Sequence, residues 1–290
     1  MNKLNVISPA KINLDLIIKS KRADNYHEIS SLIQPIDLND IISITCTNSS
    51  NLIEIDFPNN NVPLEENLIT KAAESFYQLF GINQSIKISV RKRIPIGSGM
   101  GGGSSNAAAT LLGLSKIFNI DSFDKLLEIG DSLGADVPFF LYCRTARVSG
   151  KGEEINIVET PPKLRYLLIF PGFSSETKEL YDLWDSKESF DSNDIDRNKT
   201  KKIIFKKEEL YLRNDFIPLL LEKNSEYARI FTTLDNLGFE NYSISGSGST
   251  IFSVLNNEAD TKEAESYIQS SMDVRAITVE SVEGWRFSYD

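Results

Sequence analysis

Residues 93–109 read RIPIGSGMGGGSSNAAA, and no other stretch limits so tightly what the chain can fold into: it holds five glycines and three serines. Ile86, Ile88 and Val90 alternate ahead of it, which predicts a strand. Ala107, Leu111, Leu114 and Phe118 recur at helical spacing behind it. A strand, a bare loop and a helix start in that order expose unpaired N–H groups and the positive end of a helix dipole, and glycines let an anion approach the backbone. Ser104, Ser105 and Asn106 read as cap-type residues leading into Ala107-Ala108-Ala109, which a merely flexible surface loop would not need. The stretch suits a phosphate. No GKS or GKT follows, and Ile94-Pro95 precedes it where a dinucleotide fingerprint would have a parallel-strand run, so a different nucleotide fold is implied.

A chain of 290 residues with 41% hydrophobic content can bury two modest cores, and the breaker pair Pro161-Pro162 marks a boundary between residues 1–160 and 161–290. The formal charge of −10 with a single histidine argues against a nucleic-acid surface. Any anionic ligand must be gripped locally. Cys46 and Cys143 match no metal or redox spacing and read as buried free thiols in a reducing compartment. MNKLNVISPAKINL lacks the features of a targeting peptide, and no later run reaches membrane-spanning length, so a cytoplasmic protein with no membrane partner is expected.

The alternation of Ile12, Leu14, Leu16 and Ile18 predicts one half-buried strand, and Ile41–Thr45 and Leu52–Phe57 predict two more. Leu68, Ala72, Phe76 and Leu79 predict a helix capped by Asn67, and a further helix spans Ser122–Leu133. In the second half, strands are expected at Tyr166–Phe170, Ile251–Leu255 and Arg275–Glu280, helices over Glu208–Asn236, and a turn at Ser245–Ser249. Ser186–Lys202 is polar without apolar periodicity, which suggests an exposed excursion.

A nucleoside triphosphate bound without a loop lysine needs another cation. Lys11 in SPAKINLDL interrupts an apolar strand and shares a face with Asn13 and Asp15; a solvated strand face explains the pattern equally well. Phosphoryl transfer also needs a carboxylate to accept a hydroxyl proton. Asp136 in LGADVPFF stands between a helix end and the apolar run Val137–Tyr142, where a plain helix-to-strand turn is the competing account.

Together SPAKINL, PIGSGMGGGSSNAAA and SGSGST resemble the three ordered motifs of the GHMP kinases, the small-molecule kinases for galactose, homoserine, mevalonate and phosphomevalonate. RADNYHEI, LGADVPFF and RNDF sharpen the resemblance to the branch that phosphorylates 4-diphosphocytidyl-2-C-methyl-D-erythritol, and the motifs run from Pro9 to Thr250. The resemblance implies an α/β (α+β) GHMP kinase fold: a ribosomal S5 domain 2-like amino-terminal domain, a ferredoxin-like carboxy-terminal domain and a cleft between them. It implies ATP and Mg²⁺, with Lys11 and Asp136 catalytic. ATP would meet Asn67, Pro95, Gly97, Gly99, Met100, Gly101, Gly102, Gly103, Ser104, Ser105 and Asn106, with Ser104 or Ser105 the candidate Mg²⁺ ligand. Asn13, Tyr26, His27, Thr177 and Tyr181 would meet the cytidine-tagged alcohol. A monomer or weak homodimer is expected. Asn25 stands where that branch has glycine, and asparagine tolerates the left-handed turn this requires. A mevalonate- or homoserine-type kinase would share the glycine loop but has no reason for NYHEI, and a non-catalytic nucleotide-binding regulator would not keep both Lys11 and Asp136.

Overall fold

A computed structural model describes residues 3–57, 63, 66–186, 202–205, 208–255 and 261–290; residues 187–201 of the expected polar excursion lie outside them. The first half runs β1 (Leu4–Asn13), β2 (Ile17–Lys21), β3 (His27–Cys46), β4 (Ile53–Asp56), α1 (Leu68–Phe80), β5 (Ile86–Arg91), α2 (Gly102–Ile117), α3 (Phe123–Leu133), α4 (Val137–Tyr142), β6 (Ala146–Gly150) and β7 (Glu154–Ile157). The second runs β8 (Arg165–Phe170), α5 (Thr177–Ser186), β9 (Lys202–Phe205), β10 (Glu208–Tyr211), α6 (Ile217–Lys223), α7 (Ser225–Asn236), β11 (Tyr242–Ile244), β12 (Ile251–Leu255), α8 (Thr261–Met272), β13 (Arg275–Glu280) and β14 (Arg286–Tyr289).

The 20-residue β3 is the spine of the first sheet. Its carboxy-terminal part pairs with β5, its amino-terminal part with β2 and β6, and most of its length with β1. Apolar faces of α1, α2 and α3 close over this sheet, burying Phe76, Leu111, Leu114 and Ile129 against Ile42, Ile44 and Ile88. The second sheet has the order β11-β12-β8-β13 and is antiparallel throughout. Leu167 and Ile169 of β8 face a core shared with the helices, while Tyr166, Leu168 and Phe170 face a third core containing Ile12, Leu14, Ile36 and Met100. Burial on both faces is why Tyr166–Phe170 reads as a continuous apolar run.

Several sequence expectations change. The alternation from Ile12 to Ile18 is split between β1 and β2 with a break after Asn13, because Leu14 N and Leu16 N bond to Leu32 O (2.8 Å) and Arg213 O (2.7 Å). Glu208–Tyr211 is a strand, so the helices expected there begin only at Ile217. Val137–Tyr142 is a short helix with proline in its first turn, not a strand. The chain also crosses back over the Pro161-Pro162 boundary, since β14 pairs with β1 (Leu4 opposite Tyr289) and Leu16 and Ile18 enter the second half's core.

Candidate active site

A bulge turns β1 toward the glycine loop. Pairing of β1 with β3 shifts between Pro9 and Ala10, and Lys11 N then donates to Met100 O at 3.1 Å. Ser245 completes the junction: its hydroxyl accepts from Asn13 N and donates to Gly99 O, both at 3.2 Å, and Thr250 N donates to Ser98 O at 3.2 Å. The three motif segments, far apart in the chain, are thus stitched by hydrogen bonds. Gly99, at φ 74°, has no room for a side chain, because a Cβ would lie 2.4 Å from Ser245 O and 2.5 Å from Gly248 O. Asn214 of RNDF supports the third segment by donating to Ile244 O (2.8 Å) and Gly246 O (2.7 Å).

Helix α2 starts earlier than the serines suggest. Gly101 is its N-cap at φ 67°, and the first intrahelical bond runs from Ser105 N to Gly101 O at 2.9 Å. Glycine is required because a Cβ there would meet the Phe140 ring at 2.7 Å. The N–H groups of Gly102, Gly103 and Ser104 precede that bond and border a cleft of about 1020 Å³. Ser104 and Ser105 are therefore first-turn residues, not caps. Ser105 differs from Ser104: its buried hydroxyl bonds Ser8 Oγ at 2.7 Å and does not border the cleft. Every other site residue singled out in the sequence borders the cleft. Asn106 also accepts from Ser8 Oγ at 2.8 Å. Asn67 caps α1 through Oδ1, taking Ile69 N at 2.9 Å, while its buried Nδ2 has no partner among the described residues.

Lys11 is not on a solvated strand face. Its side chain is 6% exposed, its ammonium donates to Asn13 Oδ1 and lies 3.7 Å from Asp136 Oδ2, and the Asp136 side chain is 38% exposed. Asn13 is fixed in turn by donating Nδ2 to Ser31 Oγ at 2.7 Å. Asp136, at the head of α4, opens to the cleft and makes no cap bond.

At the other end of the cleft, the hairpin between β2 and β3 turns through Asn25, which adopts the expected left-handed conformation at φ 66°. Tyr26 beside it is 61% exposed. His27 is buried with its ring stacked on Tyr181, centroids 5.0 Å apart and planes 14° apart. These two rings therefore form one continuous wall and do not stand on opposite faces of a gap. Burial, with the Asp136 charge adding, pushes the Tyr181 hydroxyl up to about 12. Thr177 Oγ1 meets Ser247 Oγ at 2.8 Å.

The sequence reading missed several cleft residues. Lys92 pairs with the fully buried Asp40 at 2.5 Å, and a Cβ on Gly102 would sit 2.8 Å from its ammonium, so a second cation adjoins the loop. Its position just ahead of the loop was the available signal, but Asp40 is remote in sequence. Five lysines (Lys11, Lys21, Lys92, Lys151 and Lys178) border the cleft among the described residues of this acidic chain. The arrangement can hold a polyanion on backbone N–H groups and lysines beside an accessible carboxylate.

Comparison with known proteins agrees with this geometry. Residues 67–144 match the family described as GHMP kinases N terminal domain. The chain is 35% identical over 276 residues to the 4-diphosphocytidyl-2-C-methyl-D-erythritol kinase of Syntrophus aciditrophicus, covering 91% of this chain and 94% of that one. It belongs to the 4-diphosphocytidyl-2-C-methyl-D-erythritol kinase family. The family's enzyme from Haemophilus ducreyi is 35% identical, with 90% and 89% of the two chains covered. A crystal structure of a 4-(cytidine 5'-diphospho)-2C-methyl-D-erythritol kinase superposes with a TM-score of 0.78 at 28% identity, covering 97% of this chain and 100% of that one. The homoserine kinase of Cytophaga hutchinsonii, at TM-score 0.72 and 16% identity over 99% and 97% of the chains, shares the fold. The mixed α/β architecture is that of the GHMP kinases, and the chain is an ATP-dependent small-molecule kinase. Among the described residues, no helix is long and apolar enough to cross a membrane.

Proposed function

We propose that the protein transfers the γ-phosphoryl group of ATP to the 2-hydroxyl of 4-diphosphocytidyl-2-C-methyl-D-erythritol, the step its family is named for in non-mevalonate isoprenoid synthesis. The observation that carries the reading is the pairing of Lys11 with Asp136 at the mouth of the glycine loop. Asp136 accepts the hydroxyl proton, and Lys11 beside it steadies the charge on the transferring group. The free N–H groups of α2 and the flanking loop cradle the phosphates, with Asn67 Nδ2 offered toward the nucleoside. Asn13 lies beside the acceptor, and Tyr26, His27, Thr177 and Tyr181 surround the cytidine. Positioning and charge neutralisation do most of the work.

Mg²⁺ bound with ATP would neutralise phosphate charge. Among the described residues no cluster of three acidic, histidine or cysteine side chains forms a cage, which fits an ion carried mainly by phosphate oxygens, with Ser104 the remaining hydroxyl at the loop. Free Cys46 and Cys143 suit a reducing, cytoplasmic setting, and a monomer or weak homodimer completes the reading.

Steady-state turnover with 4-diphosphocytidyl-2-C-methyl-D-erythritol, mevalonate and homoserine tests it. Phosphorylation of the first alone is expected. Preference for either of the others would reassign the substrate, and nucleotide binding without turnover of any would leave a regulator.

A further inference from the structure

Lys21 and His27 stand directly opposite each other where β2 and β3 pair, at the base of the hairpin that carries Tyr26. Helix α5 packs against them and presents Thr177, Tyr181 and Asp185, spaced by four residues and so on one face. The Asp185 carboxylate meets both hairpin residues: Oδ1 is 2.8 Å from His27 Nε2, and Oδ2 accepts from the Lys21 ammonium. The Lys21 hydrogen bond holds the Asp185 carboxyl below its ordinary value; burial, next in size, opposes it, and the His27 hydrogen bond adds a lesser lowering.

We propose that Asp185 is a positioning residue for the nucleoside end of the substrate. One carboxylate fastens the hairpin bearing Tyr26 and His27 to the helix bearing Thr177 and Tyr181, and so fixes the wall that these two elements together present to the cleft. Its bond to Nε2 also orients the imidazole that forms a wall with Tyr181. Asp185 lies at the far end of α5 from Thr177 and eight residues along from it, and it acts through His27 and Lys21 without touching the reacting atoms. The inference rests on the proposed function, because it presumes a substrate whose nucleoside sits there.

The test compares wild type with Asp185→Ala, Asp185→Asn and Lys21→Met. Asp185→Ala is expected to raise KM for 4-diphosphocytidyl-2-C-methyl-D-erythritol about tenfold, the effect of one charge-assisted hydrogen bond, with kcat and the KM for ATP moving less than about twofold. Asp185→Asn keeps one acceptor oxygen for Nε2 and recovers part of the loss, and Lys21→Met gives a smaller rise. The chain has one histidine, so a long-range ¹H–¹⁵N spectrum reads this imidazole alone. It should show one hydrogen-bonded Nε2 in the wild type and a changed tautomer balance in Asp185→Ala. An unchanged KM, a parallel rise in both KM values, or identical imidazole spectra overturns the role. Lack of wild-type turnover overturns the function itself and this inference with it, whereas normal wild-type turnover with an unmoved KM in Asp185→Ala removes only Asp185.

Discussion

Lys11 Nζ lies 3.7 Å from Asp136 Oδ2, and the two partners differ in exposure, the lysine side chain at 6% and the aspartate at 38%. A nearly buried ammonium tied to Asn13 thus faces a carboxylate that remains open to a substrate. Asp136→Asn should keep the shape and lose the proton acceptor. With both substrates saturating, kcat is expected to fall by about 10²-fold or more, the usual range for a positioned general base. Near-normal turnover would rule out the base.

Glycines 99 and 103 separate folding from binding. Alanine at Gly103 meets nothing nearer than Leu68 Cδ1 at 3.8 Å, and it favours a helix, so Tm should hold or rise. Gly103 borders the cleft, and if its backbone N–H cradles phosphate, KM for ATP should rise about tenfold as anion contacts are lost. Gly99→Ala, pressed against two carbonyl oxygens at 2.4 and 2.5 Å, should instead lower Tm by itself. Thermal melts and ATP kinetics on both variants check this; an ATP KM unmoved by Gly103→Ala would count against the phosphate cradle.

Asn67 caps α1 with Oδ1, and its buried Nδ2 has no partner among the described residues. Asn67→Asp retains a side-chain oxygen to cap α1, so this variant should keep Tm nearly unchanged while losing the unpartnered Nδ2 donor and binding ATP several-fold more weakly. Asn67→Ala should in addition cost about 1 kcal/mol of stability. Equal ATP affinity in wild type and Asn67→Asp, measured by calorimetry, would remove Nδ2 from nucleotide binding.

Burial, with the Glu283 charge adding, pushes the Cys143 thiol up to about 12 from an ordinary 9.0. The unfolded thiol ionises first as pH rises, so this contribution to stability is complete below about 9 and is lost progressively toward about 12. In a Cys46→Ser background, a disulfide reagent at pH 8 should leave the native protein unlabelled and label it on unfolding. Rapid native labelling would show the thiol to be accessible.

Much of the local structure is legible in the chain because it depends on neighbours in sequence. Tyr166–Phe170 must be a strand buried on both faces, Asn67 must cap the helix behind it, and five glycines ahead of an alanine run must bare a helix amino terminus. The left-handed turn at Asn25 was legible only through the resemblance, in which glycine stands at that position. The face on which a polar side chain ends up does not follow from such patterns. Ser104 and Ser105 look alike in sequence, yet one borders the cleft and the other bonds Ser8; Lys11, readable as a solvated residue, is buried beside Asp136. Lys92 needs Asp40, and His27 needs Asp185, across separations no local pattern spans. Most elements, Glu208–Tyr211 and Val137–Tyr142 excepted, and the chemical groups available for phosphoryl transfer follow from the order of residues alone. Only the tertiary structure decided which of those groups meet, because electrostatic and hydrogen-bond partnership depends on distances of a few ångströms between segments that packing brings together.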